Sequence, residues 1–359
     1  MSNRRFTVNP FGELTLANED RAKLLEITDA LVHAKFEEYE EHLQNEKRVD
    51  LARWKKFKTA GATTTYLESP LPGTLDENMF GLVNPTLESM RIKASYLNDF
   101  SAGAVLATVV EPTEEEPFRS VVVKWMEIDI PGASVGIVRN RDYIYVESSG
   151  ILRLQNGERV GYHLFHSVNF PETCELPGRV RGNMSLCAIF HQEGSDRTDC
   201  FGTGIMDPKG DMIRMMAVAG MVQATMAGLM KKLAWLLEQK HADMRERSAP
   251  VVKPVCMTCS KPTTGSKMKI GKASSTCKLC FGALCGSCKV SKKLSFISPD
   301  LELAHRRVTF CVRCLMEASW LDTLEAARHQ FVYKQPIYPS SYGSLAASYM
   351  STRSNDTVR

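Results

Sequence analysis

Eight cysteines crowd into the stretch from Cys256 to Cys314 as four Cys-x2-Cys pairs: Cys256/Cys259, Cys277/Cys280, Cys285/Cys288 and Cys311/Cys314. A Cys-x2-Cys turn lets two thiolates face one cation from a single tight loop, and two such turns complete the tetrahedron that Zn2+ accepts. Eight thiols make two closed sites, which leave no coordination position for water. The expectation is two structural zinc ions and no metal catalysis. Successive pairs are 17, 4 and 22 residues apart, and this spacing permits sequential or interleaved pairing. His305 is a further candidate ligand, but the thiols suffice without it.

The same stretch is the basic part of the chain. Between Lys253 and Cys314 stand nine Lys and three Arg against Asp300 and Glu302, a local charge of +10, while the remainder carries 33 bases against 39 acids. Two zinc ions on eight thiolates would leave the segment about +6, which still favours an anionic partner. About sixty polar, Lys-rich residues bury too little apolar surface to fold alone, so binding energy of order 10 kcal/mol per ion is expected to support them.

Elsewhere the residues offer little chemistry. The remaining cysteines, Cys174, Cys187 and Cys200, are scattered and read as structural rather than nucleophilic. His163 and His166 have opposite strand parity and cannot form one pair. Glu114-Glu115-Glu116 reads as a solvated loop. No G-x-S-x-G, H-E-x-x-H or P-loop pattern occurs, so no catalytic residue and no enzyme is expected.

The elements that must carry these residues follow from periodicity. Asn18 to about Thr59 reads as a helix with Leu24, Ile27, Leu31, Phe36 and Tyr39 near a 3.6-residue period. Pro70-Leu71-Pro72-Gly73 reads as a loop, and Thr86 to Leu97 as a shorter helix. Segments 104–110, 119–130, 135–146, 160–168, 181–191 and 199–206 alternate β-branched or aromatic residues with polar ones, with turns at Asn156-Gly157 and Glu193-Gly194-Ser195-Asp196. They predict an antiparallel sheet. Ile213 to about Met244 then reads as one long apolar helix, and the Met212, Met215, Met216, Met221, Met226 and Met230 that crowd it suit either a pliable cavity wall or an ordinary core.

This gives an α+β chain of two modules: an arm at 1–14, a helix-sheet-helix domain at 15–245, a charged, proline-containing linker at 246–255, a cysteine-rich finger at 256–320, and a short helix with a disordered tail at 321–359. A mean hydropathy of −0.20 and the lack of a long apolar run argue against a membrane span. The start Met1-Ser2-Asn3-Arg4-Arg5-Phe6 has no apolar h-region, so a cytoplasmic, reducing compartment is expected.

The order of helices, antiparallel meander and long final helix resembles the START-like lipid-transfer domains. The matching features are Asn140 to Val146, the strand from Val180 to Phe190, the turn from Asp207 to Asp211 and the last helix. The resemblance implies a helix-grip fold, in which the sheet wraps the last helix around a cavity for one sterol or phospholipid.

The C-x2-C, C-x2-C-x4-C-x2-C, C-x2-C order resembles a FYVE-type zinc finger. That family is cross-braced, which implies Cys256, Cys259, Cys285 and Cys288 on one ion and Cys277, Cys280, Cys311 and Cys314 on the other. The family's R-(R/K)-H-H-C-R signature is replaced here by Ala273-Ser274-Ser275-Thr276 before Cys277, and no W-x-x-D element precedes Cys256. Docking on an endosomal-type membrane is therefore implied without specific 3-phosphoinositide recognition. Lys267, Met268, Lys269, Ile270 and Lys272 occupy the loop that related fingers dip into bilayers; here it reads as an inserting loop or a solvated one. Lys289, Lys292, Lys293, Arg306 and Arg307 extend this basic character. Rival readings are a RING- or PHD-like module and a protein-interaction adaptor; a nucleic-acid partner is not expected, since no aromatic interleaving or recognition helix accompanies the charge.

Overall fold

The computed structural model describes residues 9–47, 63–96, 100–128, 139–207, 255–263, 275–297 and 303–333, with Lys209, Met230, Lys231 and Ala234. The Lys267–Lys272 loop, most of the linker, the tail beyond Tyr338 and nearly all of the expected final helix lie outside the described residues. Of that helix, Met230, Lys231 and Ala234 are helical and buried. The chain divides into two compact units, residues 1–230 with 322–332, and residues 231–321 with 333–359.

The first unit is built on α1 (Asn18–Gln44), β1 (Thr63–Pro72), α2 (Leu75–Leu82), α3 (Leu87–Tyr96) and strands β2 (Phe100–Val110), β3 (Ser120–Ile128), β4 (Asn140–Arg153), β5 (Arg159–Ser167), β6 (Arg179–Arg181), β7 (Asn183–Glu193) and β8 (Arg197–Asp207). One sheet runs in the order β1-β8-β7-β5-β4-β3-β2, every neighbour antiparallel, while the short β6 pairs parallel with the start of β4. Both anticipated hairpin turns form: Gly157 and Gly194 adopt φ of 86° and 72° between β4 and β5 and between β7 and β8.

Strand alternation gives the sheet two unlike faces. On the first, Val121, Val123, Trp125, Ile144 and Val146 pack with Leu14, Leu16 and Leu24, and Tyr162, Leu164, Cys187, Ile189 and Phe201 pack with Val32 and Tyr39. Leu24 and the last two belong to α1, whose buried stripe is Leu24, Thr28, Val32, Lys35, Tyr39 and His42. The expected stripe is thus rotated: Leu24 and Tyr39 belong to it, but Ile27 is exposed. The second face carries Met126, Tyr143, Tyr145 and Met184, with Phe165 and Leu186 beside them. Met79 of α2 presses on this face at Gly161, where an added Cβ would stand 2.4 Å from the Met79 sulfur.

Two further expectations need correction. The first helix stops at Gln44 rather than near Thr59, because Glu46 and Lys47 turn left-handed at φ of 54° and 58°. The Lys47 ammonium is then held by Glu193 and by Asp199 at 2.8 Å. The Pro70–Pro72 segment is not a loop but the end of edge strand β1, paired with Thr198 and Arg197 of β8 in a place where missing N–H donors are tolerated. Directly after it, Thr74-Leu75-Asp76-Glu77 forms a capping box that starts the unexpected helix α2.

The expected helix at 321–332 forms as α5 (Thr323–Ala327) and a π-helical turn (Arg328–Val332), both within the first unit. Phe331 is buried 5.7 Å from Phe80 of α2, and Arg328 donates to the Glu114 carbonyl at 2.8 Å. The exposed Glu114–Glu116 loop fits the expectation of a solvated turn.

The second unit holds two small hairpins, β9 (Ser275–Thr276) with β10 (Ala283–Leu284) and β11 (Val290–Ile297) with β12 (Leu303–Phe310), followed by α4 (Val312–Ser319). Its core is slight, with Leu284, Leu294, Phe296, Val308, Phe310 and Ala318 buried among the cysteines.

Candidate metal centres and a buried charged cluster

Short elements deliver the eight thiols. Cys256 and Cys277 each open a turn with the same hydrogen bonds: Ser260 N–H to the Cys256 carbonyl and Phe281 N–H to the Cys277 carbonyl, both 2.9 Å. Ser260 and Phe281 are left-handed at φ of 57° and 59°, which closes both loops tightly. Cys288 N–H reaches the Cys285 carbonyl at 3.2 Å. The fourth pair rides on a helix: Cys311 is the N-cap of α4, and its sulfur accepts the Cys314 N–H at 3.4 Å.

The hairpins decide which pairs meet. The Cys277/Cys280 turn joins β9 to β10, so Cys285, just past β10, lies at the opposite end of that hairpin. At the base of the second hairpin Val290 pairs with Phe310, which sets Cys288 and Cys311 at the ends of adjacent strands. The result is two groups, Cys256, Cys259, Cys285 and Cys288, and Cys277, Cys280, Cys311 and Cys314, each with all four sulfurs within 4.8 Å of one another. These are the two cross-braced sets that the FYVE resemblance implies. His305 belongs to neither; its Nδ1 lies 3.0 Å from the Ser295 hydroxyl.

The donor sets fit zinc. Four sulfurs bound at about 2.3 Å on a tetrahedron stand about 3.8 Å apart. Cys259 and Cys285 are 3.7 Å apart, and Cys280 and Cys311 3.9 Å. Those separations are far longer than a disulfide, and every cysteine is free. Crowding already splits the protons: the Cys314 thiol, donating to Cys277, holds that sulfur down to about 4 while being pushed up itself.

A second cluster lies on the second face of the sheet in the first unit. Lys124, alternating with Val123 and Trp125, points away from their core, as Glu147 does from Val146. The Lys124 ammonium donates to Glu147 Oε2 at 2.6 Å and to the Asn84 carbonyl and Oδ1 at 2.7 and 3.1 Å, which uses its three protons. Glu147 Oε1 takes His163 Nε2 at 2.8 Å and Asn84 Nδ2 at 3.3 Å. Nearby, the buried Lys93 donates to the Leu82 carbonyl at 2.8 Å.

Burial pushes the Glu147 carboxyl up, but Lys124 and the His163 hydrogen bond outweigh it and hold the group well below the usual carboxylate range. Burial lowers His163, against the pull of Glu147, so the imidazole is neutral at pH 7. Its Nε2–H therefore donates to the carboxylate, and Nδ1 is left as an acceptor. Nδ1 is buried with no partner among the described residues, and so is the Tyr143 hydroxyl on the same face. His163 was legible as a strand residue, and His166 does lie apart, 3.0 Å from the Ser185 hydroxyl. Lys124 and Glu147 were missed; their sign was a charge at a face position of otherwise apolar strands.

Burial raises Cys187 and Cys200 to about 12, and Cys174 is exposed. Among the described residues no helix is long and apolar enough to cross a membrane.

No protein-family model matches this chain, and no curated protein does. Solved structures are similar to part of it. Human STARD10 aligns at 13% identity and a TM-score of 0.36, over 68% of this chain and 93% of its own. The human StAR-related lipid transfer protein 5 aligns at 13% and 0.36, over 58% and 97%. The lipid transfer and protein localization domain of human StarD13 aligns at 14% and 0.33, over 52% and 95%.

Proposed function

We propose that this chain is a non-enzymatic, zinc-containing lipid-binding protein. The first unit is a START-like domain that takes one lipid, and the second a FYVE-type finger that docks it, peripherally and from the cytoplasm, on an endosomal-type membrane. One observation carries the lipid reading: the second face of the sheet is itself amphipathic. Met126, Tyr145, Phe165, Met184 and Leu186 offer an apolar bed, and at its edge stand the Lys124–Glu147–His163 cluster and two buried polar atoms without partners among the described residues. A lipid has the same division. The His163 acceptor suits a ligand whose polar end carries a hydroxyl, such as a sterol, and the Tyr143 hydroxyl offers a donor to a phospholipid ester.

Zinc supplies structure here, since four thiolates per ion leave no open position. The four-thiol groups, the two hairpins and the closing helix support the FYVE-type reading. Docking falls to Lys267, Met268, Lys269, Ile270 and Lys272.

The test is mass spectrometry of lipids that co-purify with the whole chain, used whole because residues 322–332 belong to the first unit. One enriched lipid class, lost in His163→Leu, is the expected result; no enrichment over an unrelated protein overturns the reading. For docking, Met268→Ser with Ile270→Ser should reduce sedimentation with anionic vesicles, and unchanged sedimentation rejects the loop.

A second reading, a protein-interaction adaptor, rests on α4. Val312, Met316 and Trp320 recur every fourth residue and are 43%, 49% and 73% exposed. If that stripe rather than a lipid defines the protein, no lipid co-purifies, and Met316→Ser with Trp320→Ser abolishes capture of a defined protein partner.

A further inference from the structure

Five cations, Lys289, Lys292, Lys293, Arg306 and Arg307, look like one basic run in the sequence, but the β11–β12 register sorts them. Lys293 stands directly opposite Arg307, whereas Lys292 faces Val308 and Arg306 faces Leu294. Because side chains alternate, Lys292 and Arg306 share the hairpin face of Leu294, Phe296, Val308 and Phe310. Those four are buried, and the Arg306 guanidinium lies 5.7 Å over the Phe296 ring.

The other face is built of three successive cross-strand pairs: Ser291 with Thr309, Lys293 with Arg307, and Ser295 with His305. The Ser291 and Thr309 hydroxyls are 3.4 Å apart, and Ser291, Lys293 and Arg307 are exposed. Like charges directly opposite on neighbouring strands repel, and such a register is ordinarily offset by an acid. None serves here: among the described residues of the second unit the sole carboxylate is Glu317, which is held by Arg313 at 2.8 Å.

We propose that Lys293 and Arg307, flanked by the Ser291 and Thr309 hydroxyls, form a seat for the phosphoryl headgroup of an anionic lipid. The chemistry is complementary. A guanidinium fork grips two phosphate oxygens, an ammonium supplies a second point charge, and the hydroxyls offer further donors. The anion also removes the repulsion that the register imposes. This seat rests on the membrane-docking reading and deepens it. It uses residues other than the Lys267–Lys272 loop and needs nothing from Ala273-Ser274-Ser275-Thr276.

The test uses the whole chain and sedimentation with phosphatidylcholine vesicles carrying either phosphatidic acid or phosphatidylserine at matched surface charge. The wild type should bind the phosphatidic acid vesicles more tightly. Lys293→Gln with Arg307→Gln should lower that binding at least about tenfold, the scale of a lost charge-assisted contact. Lys261→Gln with Lys289→Gln, which removes the same charge from exposed positions of the finger, should change it less than about twofold. Zinc content equal to wild type checks folding of both variants.

Equal losses in the two variants overturn the seat in favour of a diffuse field. Binding that needs Met268 and Ile270 but not Lys293 and Arg307 sinks the seat and leaves docking intact. A wild type that ignores all vesicles overturns the docking reading. If it then binds inorganic phosphate or duplex DNA through Lys293 and Arg307, the lipid is the wrong source of the anion.

Discussion

Lys124 and Glu147 sit on adjacent strands, diagonal to one another across the β3–β4 ladder, with ammonium and carboxylate 2.6 Å apart and both side chains buried. The ladder pairs Val122 with Glu147 and Lys124 with Tyr145, so the ion pair spans two residues of register on one face. Burying two charges is costly, and the pair persists because Asn84 and His163 complete its hydrogen bonds.

Removing one partner should therefore cost more than removing both. Lys124→Met or Glu147→Gln alone is expected to destabilise the chain by about 3–5 kcal/mol, and Lys124→Met with Glu147→Met by clearly less. Urea unfolding of the three variants measures this; a double variant as unstable as the sum of the singles contradicts it.

The same cluster sets an acid response with two windows. His163 has a folded pKa below 6.5, so the unfolded chain binds its proton first and stability falls as pH drops below about 6.5. Glu147 is held below 4.5, so its contribution is present above that pH and is lost on further acidification. Lys93 and Lys124 also disfavour a proton on His163. Replacing His163 by Gln should flatten the dependence of unfolding free energy on pH between about 6.5 and 4.5 and leave the lower window in place. An unchanged upper slope would assign it elsewhere, for instance to His166, which burial also lowers.

Zinc analysis of the whole chain should give two ions, and the cross-brace predicts how they are lost. Cys256→Ser and Cys285→Ser should each remove the same ion, so that combining them removes no more, whereas Cys256→Ser with Cys277→Ser should remove both. Chelation should abolish hydrogen-exchange protection in both small hairpins, given about 10 kcal/mol of folding support per ion. A finger that stays protected without metal would refute the zinc assignment.

The segment after the finger is part of the first unit. Phe331 is 1% exposed against Phe80, with Ala326 and Ala327 fully buried. Phe331→Ala should cost about 3–5 kcal/mol of that unit's stability by leaving a cavity. A chain ending at Leu321 should unfold at lower urea than the full chain by tryptophan fluorescence, to which Trp125 contributes from the core; coincident curves would show the segment to be dispensable.

Much of this was written locally. A Cys-x2-Cys turn is complete within four residues, so the thiol pairs and their metal chemistry are visible without a fold. Strand alternation and the Asn156-Gly157 turn are equally local, and the six expected strands all form. The cap Thr74-Leu75-Asp76-Glu77 is equally local, whereas the prolines before it read as a loop although they end an edge strand, whose partner β8 is remote in the chain. Lys47 ends α1 through Glu193 and Asp199, partners remote in the chain that no periodicity reveals.

What the chain alone determined was the kind of most elements and the pairing of thiols within each turn, because both depend on neighbours a few residues apart. Tertiary structure decided which thiol pairs gather into one group, that Lys124, Glu147 and His163 meet inside the sheet, that Lys293 confronts Arg307 while Arg306 does not, and that Phe331 returns to Phe80. Each of these depends on strand register or on a contact distant in sequence, and a one-residue change of register would send the same side chains to opposite faces.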